Sequence, residues 1–249
     1  MEDAGSPFVP KIQWRRAWTA LGKLIEDPQR TDQVFEITQA LAGRSFERSY
    51  QRFVRSPEGR RLLDEKPNLL RALSDRETLR RLPPGSFGRA YVEFMESGNL
   101  TPDGLVEADE MVARRHAEEQ PPPGADRQYY GERIRDMHDL WHVLTGYGMD
   151  EAGEAANLAF TLAQVPTGGV ALIVLAAVVI GPKDLRLTWQ RYLYRAWRRG
   201  RRARPLPLVP YEELLDQPLS EVRRRLDIEP PEVAHPQGVV VAQRNAVLG

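Results

Sequence analysis

The 249-residue sequence contains no cysteine. That excludes a disulfide framework, a thiolate nucleophile and every cysteine-ligated zinc or iron–sulfur site. Neither sign of charge is in excess, since 35 Lys and Arg balance 35 Asp and Glu. A general nucleic-acid binder is strongly basic, so no nucleic-acid partner is expected. Histidine is scarce, with four copies, and any imidazole chemistry has few places to reside. The N-terminus, MEDAGSPFVPKIQWRR, opens acidic and lacks both the apolar core of a signal peptide and the character of a mitochondrial presequence. The expected location is a reducing compartment, a bacterial cytoplasm.

The neutral sum conceals two extremes. Ala155 to Pro182 is uncharged, and just beyond it seven of the 31 arginines fall between Arg191 and Arg204. An apolar stretch beside an arginine-rich one is what a soluble protein needs in order to touch a membrane surface. Pro166, Gly168 and Gly169 interrupt the 28-residue uncharged run. Its continuous part, Val170 to Ile180, would extend about 16 Å as a helix, half a bilayer. It reads as a core helix, as the wall of a groove for a lipid tail, or as both, with Val170, Ile173, Val174 and Ala177 as lipid-binding positions. On Leu187 to Arg199, Trp189, Tyr192, Leu193 and Trp197 interleave with Arg191, Arg195, Arg198 and Arg199. Aromatics beside arginines suit an anionic membrane surface, although a solvated helix face is the plainer reading.

Helical periodicity runs almost throughout, so the expected fold is all-α. Trp14, Trp18, Leu21 and Ile25 mark a first helix that stops near Pro28. Thr31 or Asp32 can cap a second, with Val34, Ile37, Ala40 and Leu41 on it and Gly43 as its stop. Phe46, Tyr50, Phe53 and Val54 mark a third, ending before Ser56-Pro57. Glu58 to Leu70 reads as one short arginine-rich helix, Arg89 to Glu96 as another after a loop at 82–88, and Thr101-Pro102-Asp103 as a helix start with proline first. Tyr129 to Thr145 reads as one strong helix stopped by Gly146. Only Gly238 to Val241 looks extended. The expected organisation is one domain over 1–249, ordered over about 14–228, with a Pro-rich loop at 118–125 and an irregular tail at 229–249.

Two of the four histidines lie in His138-Asp139-Leu140-Trp141-His142. At i and i+4 they share a helix face about 6 Å apart, which suits two ligands of one metal ion. His142 lies four residues before the Gly146 stop, and Glu154 four residues after Asp150, which can cap the next helix. Across such a hairpin Glu154 can face His142 and supply a third ligand. Asp139, about 100° around the wheel, is a fourth ligand, an orienting partner, an acid/base or a salt-bridge mate of Arg135. A His-Asp doublet also occurs in phosphohydrolases, but those sites need further histidines, and His116 is the one upstream candidate.

HDLWHVLTGYGMDEAGE has the form HDxxH, eleven residues, then Glu. With this spacing the sequence resembles the coenzyme Q biosynthesis family Coq-four. SPEGRRLL from Ser56, LPPGSFGRAYVEFM from Leu82, NLTPD from Asn99, the apolar run at Ala163 to Leu187, the stretch from Trp197 to Tyr211-Glu212-Glu213 and PLSEVRRRLDI follow the family's order. The likeness covers about Trp18 to Ile228. It implies an all-helical fold and a peripheral place at the membrane face where ubiquinone is made, in a bacterium the inner face of the inner membrane. It also implies a divalent metal on His138, Asp139, His142 and Glu154. Two histidines with a carboxylate fit zinc first and ferrous iron second, and Asp139 is the candidate catalytic acid/base. The implied activity is decarboxylation of a polyprenylated hydroxybenzoate with hydroxylation of the same ring carbon. The alternative is a non-catalytic lipid-binding scaffold with a structural metal. Implied partners are the substrate, the membrane surface, other ubiquinone biosynthesis enzymes and a further copy of the chain in a homo-oligomer.

Overall fold

The computed structural model describes residues 7–28, 30–119 and 122–235, and among these the chain is helical with no strand. Helices α1 (Trp14–Glu26), α2 (Thr31–Ala40) and α3 (Gly43–Arg55) lie where the periodicity places them, although α1 buries Ala17, Ala20 and Leu21 and leaves Trp14, Trp18 and Ile25 exposed. Then come α4 (Pro57–Glu65), α5 (Leu69–Ser74), α6 (Arg76–Arg81), α7 (Phe87–Ser97) and α8 (Asp103–Arg115). The second half consists of α9 (Ala125–Asp136), α10 (His138–Thr145), α11 (Glu151–Gln164), α12 (Gly168–Ile180), α13 (Arg186–Arg202), α14 (Leu219–Arg225) and α15 (Pro231–Ala234).

Several boundaries differ from the sequence reading, each for a local reason. The stretch 58–70 is two helices, because Lys66 takes a left-handed conformation that closes α4 and Pro67 cannot extend it. The Asn68 side chain then caps α5 by accepting from the Arg71 N–H at 2.8 Å. Gly43, at φ 40°, opens α3 instead of closing α2, which ends at Ala40. Pro102 precedes α8 by one residue. The long helix 129–145 is α9 followed by α10, parted at Met137. That residue keeps a helical φ and ψ, bonds back to the Arg133 carbonyl and accepts from the Trp141 N–H, so the parting is a slight bend. Part of the tail is ordered as α15, while Gly238 to Val241 lies outside the described residues.

The main core is built by α7, α10, α11, α13 and α14, with Phe87, Trp141, Phe160 and Tyr211 all under 2% exposed. Each such side chain contributes roughly 1.5–3 kcal/mol of burial energy. The Trp141 indole N–H donates to the Tyr211 hydroxyl at 2.9 Å, so the buried aromatic centre leaves that polar pair satisfied. A second apolar cluster joins α1 and α2 to Leu172 and Ile173 of α12, and a third joins α3, α4 and α9 around Tyr130. A cleft of about 2400 Å³ is lined by residues of α2, α8, α9, α10, α11 and α12. Among the described residues no helix is long and apolar enough to cross a membrane. Helix α12, at 13 residues, reaches about 20 Å.

Candidate metal centre

The hairpin that carries the site is set by backbone chemistry. Helix α10 ends because Gly146 adopts φ 73°, a region a side chain disfavours, and its N–H closes on the His142 carbonyl at 2.7 Å. After a four-residue loop, the Asp150 carboxylate caps α11 by accepting from the Ala152 and Gly153 N–H groups, both at 2.9 Å. Gly153 lets the first turn of α11 lie against that loop, since a Cβ there would overlap the Gly148 carbonyl. His142 therefore stands one turn before the loop and Glu154 one turn after it.

The three donors converge. The Nε2 atoms of His138 and His142 are 3.3 Å apart, and Glu154 Oε2 lies 3.6 Å from the first and 3.4 Å from the second. Zinc–nitrogen bonds of about 2.0–2.1 Å place the ligands of a tetrahedral ion about 3.3–3.4 Å from one another. The triad therefore fits one face of such a tetrahedron, a fit that comes from the donor spacing itself. His142 is buried, and its Nδ1–H donates to the Tyr147 carbonyl at 3.1 Å, which leaves Nε2 with its lone pair toward the other donors. The Phe94 ring stacks on the His142 imidazole at 5.4 Å and fixes its plane. Burial alone would raise the Glu154 carboxyl, but the two imidazoles beside it, His138 and His142, outweigh burial and hold the group well below the usual carboxylate range. Burial likewise works to lower His138, and Glu154 prevails and raises it.

The end of α10 is held from behind by two arginines that sequence reasoning did not assign to the site. Arg223 donates to the Val143 and Leu144 carbonyls at 2.9 Å each, and Arg199 donates to the Thr145 carbonyl at 2.9 Å. With Gly146 on His142, all four terminal carbonyls of the helix are satisfied. Both cations also face the negative end of the helix dipole. Arg199 further donates to the Glu229 carbonyl, and α15 closes over the loop with Pro231 against Gly146 and His235 bonded to the Tyr147 hydroxyl at 3.0 Å. The sequence signal for Arg199 was its phase: it repeats with Trp189, Tyr192 and Ala196, the buried stripe of α13.

The remaining sequence-derived residues divide. Asp139 is not part of the donor group. It lines a small recess with Tyr91 and Asp136, and burial pushes its carboxyl upward. Its suggested salt bridge does not form, because Arg135 pairs instead with Asp109 at 3.2 Å and with Asp136. His116 is bonded to Glu36 at 3.0 Å and stays out of the triad, so the set of histidines a phosphohydrolase needs is not assembled. Val170, Ile173 and Ala177 line the same cleft as His138 and Glu154, and Val174 packs against the main core. Arg191, Arg195 and Arg198 are exposed. Arg199 is 4% exposed and points inward, so it is corrected from a surface position to a buried one.

Fold and donor set together define an all-helical protein with a two-histidine, one-carboxylate centre opening on a large apolar-walled cleft. Residues 9–232 match the family described as coenzyme Q (ubiquinone) biosynthesis protein Coq4, and the chain belongs to that family. Among its relatives, the ubiquinone biosynthesis protein COQ4 of Yarrowia lipolytica, named as mitochondrial, is 32% identical over 229 residues, covering 90% of this chain and 83% of that protein. The mitochondrial COQ4 homologue of Aedes aegypti is 31% identical, covering 82% of this chain and 70% of its own length. The crystal structure of a Nostoc punctiforme protein described as a ubiquinone biosynthesis protein shares the fold. Its TM-score is 0.64 at 21% identity, over 87% of this chain and 98% of that one. This chain is accordingly a ubiquinone biosynthesis protein.

Proposed function

We propose that the chain is a metal-dependent lyase of ubiquinone biosynthesis, a decarboxylase that removes the carboxyl group of a polyprenylated hydroxybenzoate and leaves a hydroxyl on the same ring carbon. The observation that carries this reading is the continuity of one cleft from the donor triad to the apolar wall of α12. His138, His142 and Glu154 would hold a divalent cation, zinc by the donor spacing, with ferrous iron compatible with the same ligand types. When bound, the cation supplies Lewis-acid polarisation of a carboxyl or phenol oxygen of the substrate. Val170, Ile173 and Ala177 receive the polyprenyl tail, and Val174 supports that wall from the core side. The tail's burial directs the aromatic head toward His138 and Glu154. Asp139, one residue from His138 and half-buried, holds or releases the proton exchanged at the ring. In balance, the ring–carboxyl bond breaks with loss of carbon dioxide and a carbon–oxygen bond forms. Dioxygen and a two-electron donor serve as co-reactants, one oxygen atom entering the ring hydroxyl and the other leaving as water.

The protein works peripherally at a membrane surface, in a bacterium the inner face of the inner membrane, beside other enzymes of the pathway and as a homo-oligomer. Exposed Arg191, Arg195 and Arg198 contribute the cationic contact. The test is turnover of the carboxylated precursor by purified protein, with His142→Ala and Glu154→Ala compared with wild type. Loss of product with fold and partner binding retained is expected. Undiminished product would overturn the enzyme reading, and joint loss of fold, partners and product would favour a scaffold with a structural metal.

A further inference from the structure

Beyond Glu154, the residues of α11 that line the cleft are Ala155, Leu158 and Thr161, so Thr161 is the polar one. Seven residues separate it from Glu154, which places the two within about 20° on the helical wheel and about 10.5 Å apart along the axis. Thr161 therefore stands two turns from the donor triad, on the same face. The turn at 165–167 sets Val170 of α12 opposite it, since Thr161 lies four residues before Val165 and Val170 three after Thr167. Val165, Thr167 and Val170 all border the cleft.

Thr161 is 9% exposed, and its hydroxyl has no hydrogen-bond partner among the described residues. A helical serine or threonine satisfies itself by donating to the carbonyl three or four residues back. Thr145 does so to Trp141 at 2.6 Å, Ser74 to Leu70 at 2.8 Å and Thr38 to Phe35 at 3.2 Å. Thr161 makes no such bond, and its neighbours on the wall, Leu158, Val165 and Val170, are apolar. A ligand oxygen meeting this hydroxyl would gain a hydrogen bond without breaking one. Asn157 also lacks partners for both amide atoms, but it is fully buried and does not border the cleft, so the group a ligand reaches is Thr161. Rotation about χ1 exchanges its methyl and its hydroxyl at the wall. The interval from Glu154 to Thr161 suits one benzene ring with a carboxyl at one end, a hydroxyl at the other and a contact at each. An apolar chain attached beside that hydroxyl would meet Val170 and run back along α12 past Ile173 and Ala177, which are successive turns of one helix.

We propose that Thr161 determines specificity for the ring hydroxyl, its side chain hydrogen-bonding the phenol oxygen of a hydroxybenzoate whose carboxyl faces the triad. This rests on the hydroxybenzoate reading of the cleft and adds the end at which the ring is recognised. The experiment is isothermal titration calorimetry of the purified full chain with two farnesylated benzoates, one carrying a hydroxyl opposite the carboxyl and one lacking it. Turnover of the hydroxylated compound is measured in parallel. Wild type should bind the hydroxylated compound about tenfold more tightly. Thr161→Val keeps the shape and should abolish that preference, whereas Thr161→Ser should retain it. Thr161→Val should also raise the urea midpoint of the ligand-free protein, because it replaces a buried, unpaired hydroxyl by a methyl. A preference that persists in Thr161→Val overturns the proposal. So does a lowered urea midpoint, which would assign the hydroxyl a structural partner. Equal affinity of wild type for the two compounds overturns it without recourse to any variant. A preference lost in Thr161→Val, with no turnover by wild type, supports the proposal and removes the enzyme reading alone.

Discussion

The molecule buries arginine in two ways. On one side, Arg127 donates to both oxygens of Glu47, at 2.9 and 3.0 Å, and Arg133 holds Glu212 at 2.7 and 2.9 Å. These are charge-neutral clamps between distant segments, and the Arg127 hydrogen bond keeps the Glu47 carboxyl below its ordinary range. On the other side, Arg199 and Arg223 have backbone carbonyls in place of carboxylates, and those carbonyls terminate the histidine helix. Burial, followed by the neighbouring charge of Arg199, lowers the Arg223 guanidinium. The first kind of arginine holds the fold together, and the second holds the helix that carries His138 and His142.

The comparison breaks most visibly at Arg127. Arg127→Leu strands the Glu47 carboxylate in the interior and should cost about 3–5 kcal/mol in urea unfolding, whereas Arg127→Leu with Glu47→Leu should recover most of that loss. At the other kind of site, Arg199→Met removes a partner of the Thr145 carbonyl but also relieves a buried charge. About 1–2 kcal/mol of stability should go, together with a roughly tenfold weaker zinc affinity by competitive chelator titration, an effect the Arg127 variant should not show.

The smallest effect sharpens the contrast by pH. Burial first, with Arg199 and Arg195 nearby, pushes His235 down to about 4. A histidine kept neutral in the fold takes up its proton on unfolding, so stability contributed at neutral pH is lost as pH falls from about 6.5 toward 4. Unfolding midpoints measured across that window should slope downward in wild type and less steeply in Arg199→Met.

The candidate site was readable because it is local. His138 and His142 share a face by arithmetic, Gly146 and Asp150 are stop and cap, and Glu154 follows from the loop length they fix. The bend at Met137 was not readable, since both flanks are good helix and the fully buried Met137 takes its place from tertiary packing. Arg199 was misplaced because charge was weighed above phase. In a helix whose buried stripe recurs every three or four residues, position decides the direction of a side chain, and Arg199 has the position of a core residue. Lys66 in a left-handed conformation has no compositional marker of its own, but Pro67 beside it is one, and the division of α4 from α5 was readable from that proline.

The Tyr147 carbonyl has a consequence for how an ion would relate to this chain. By accepting from His142 it selects one tautomer, and it sits in a loop already closed by Gly146, Asp150 and α15. The donors are thus brought to coordination spacing by bonds the polypeptide makes with itself. The spacing of the hairpin is held by its own backbone bonds, and chelator treatment of the purified protein should leave its helical circular dichroism unchanged.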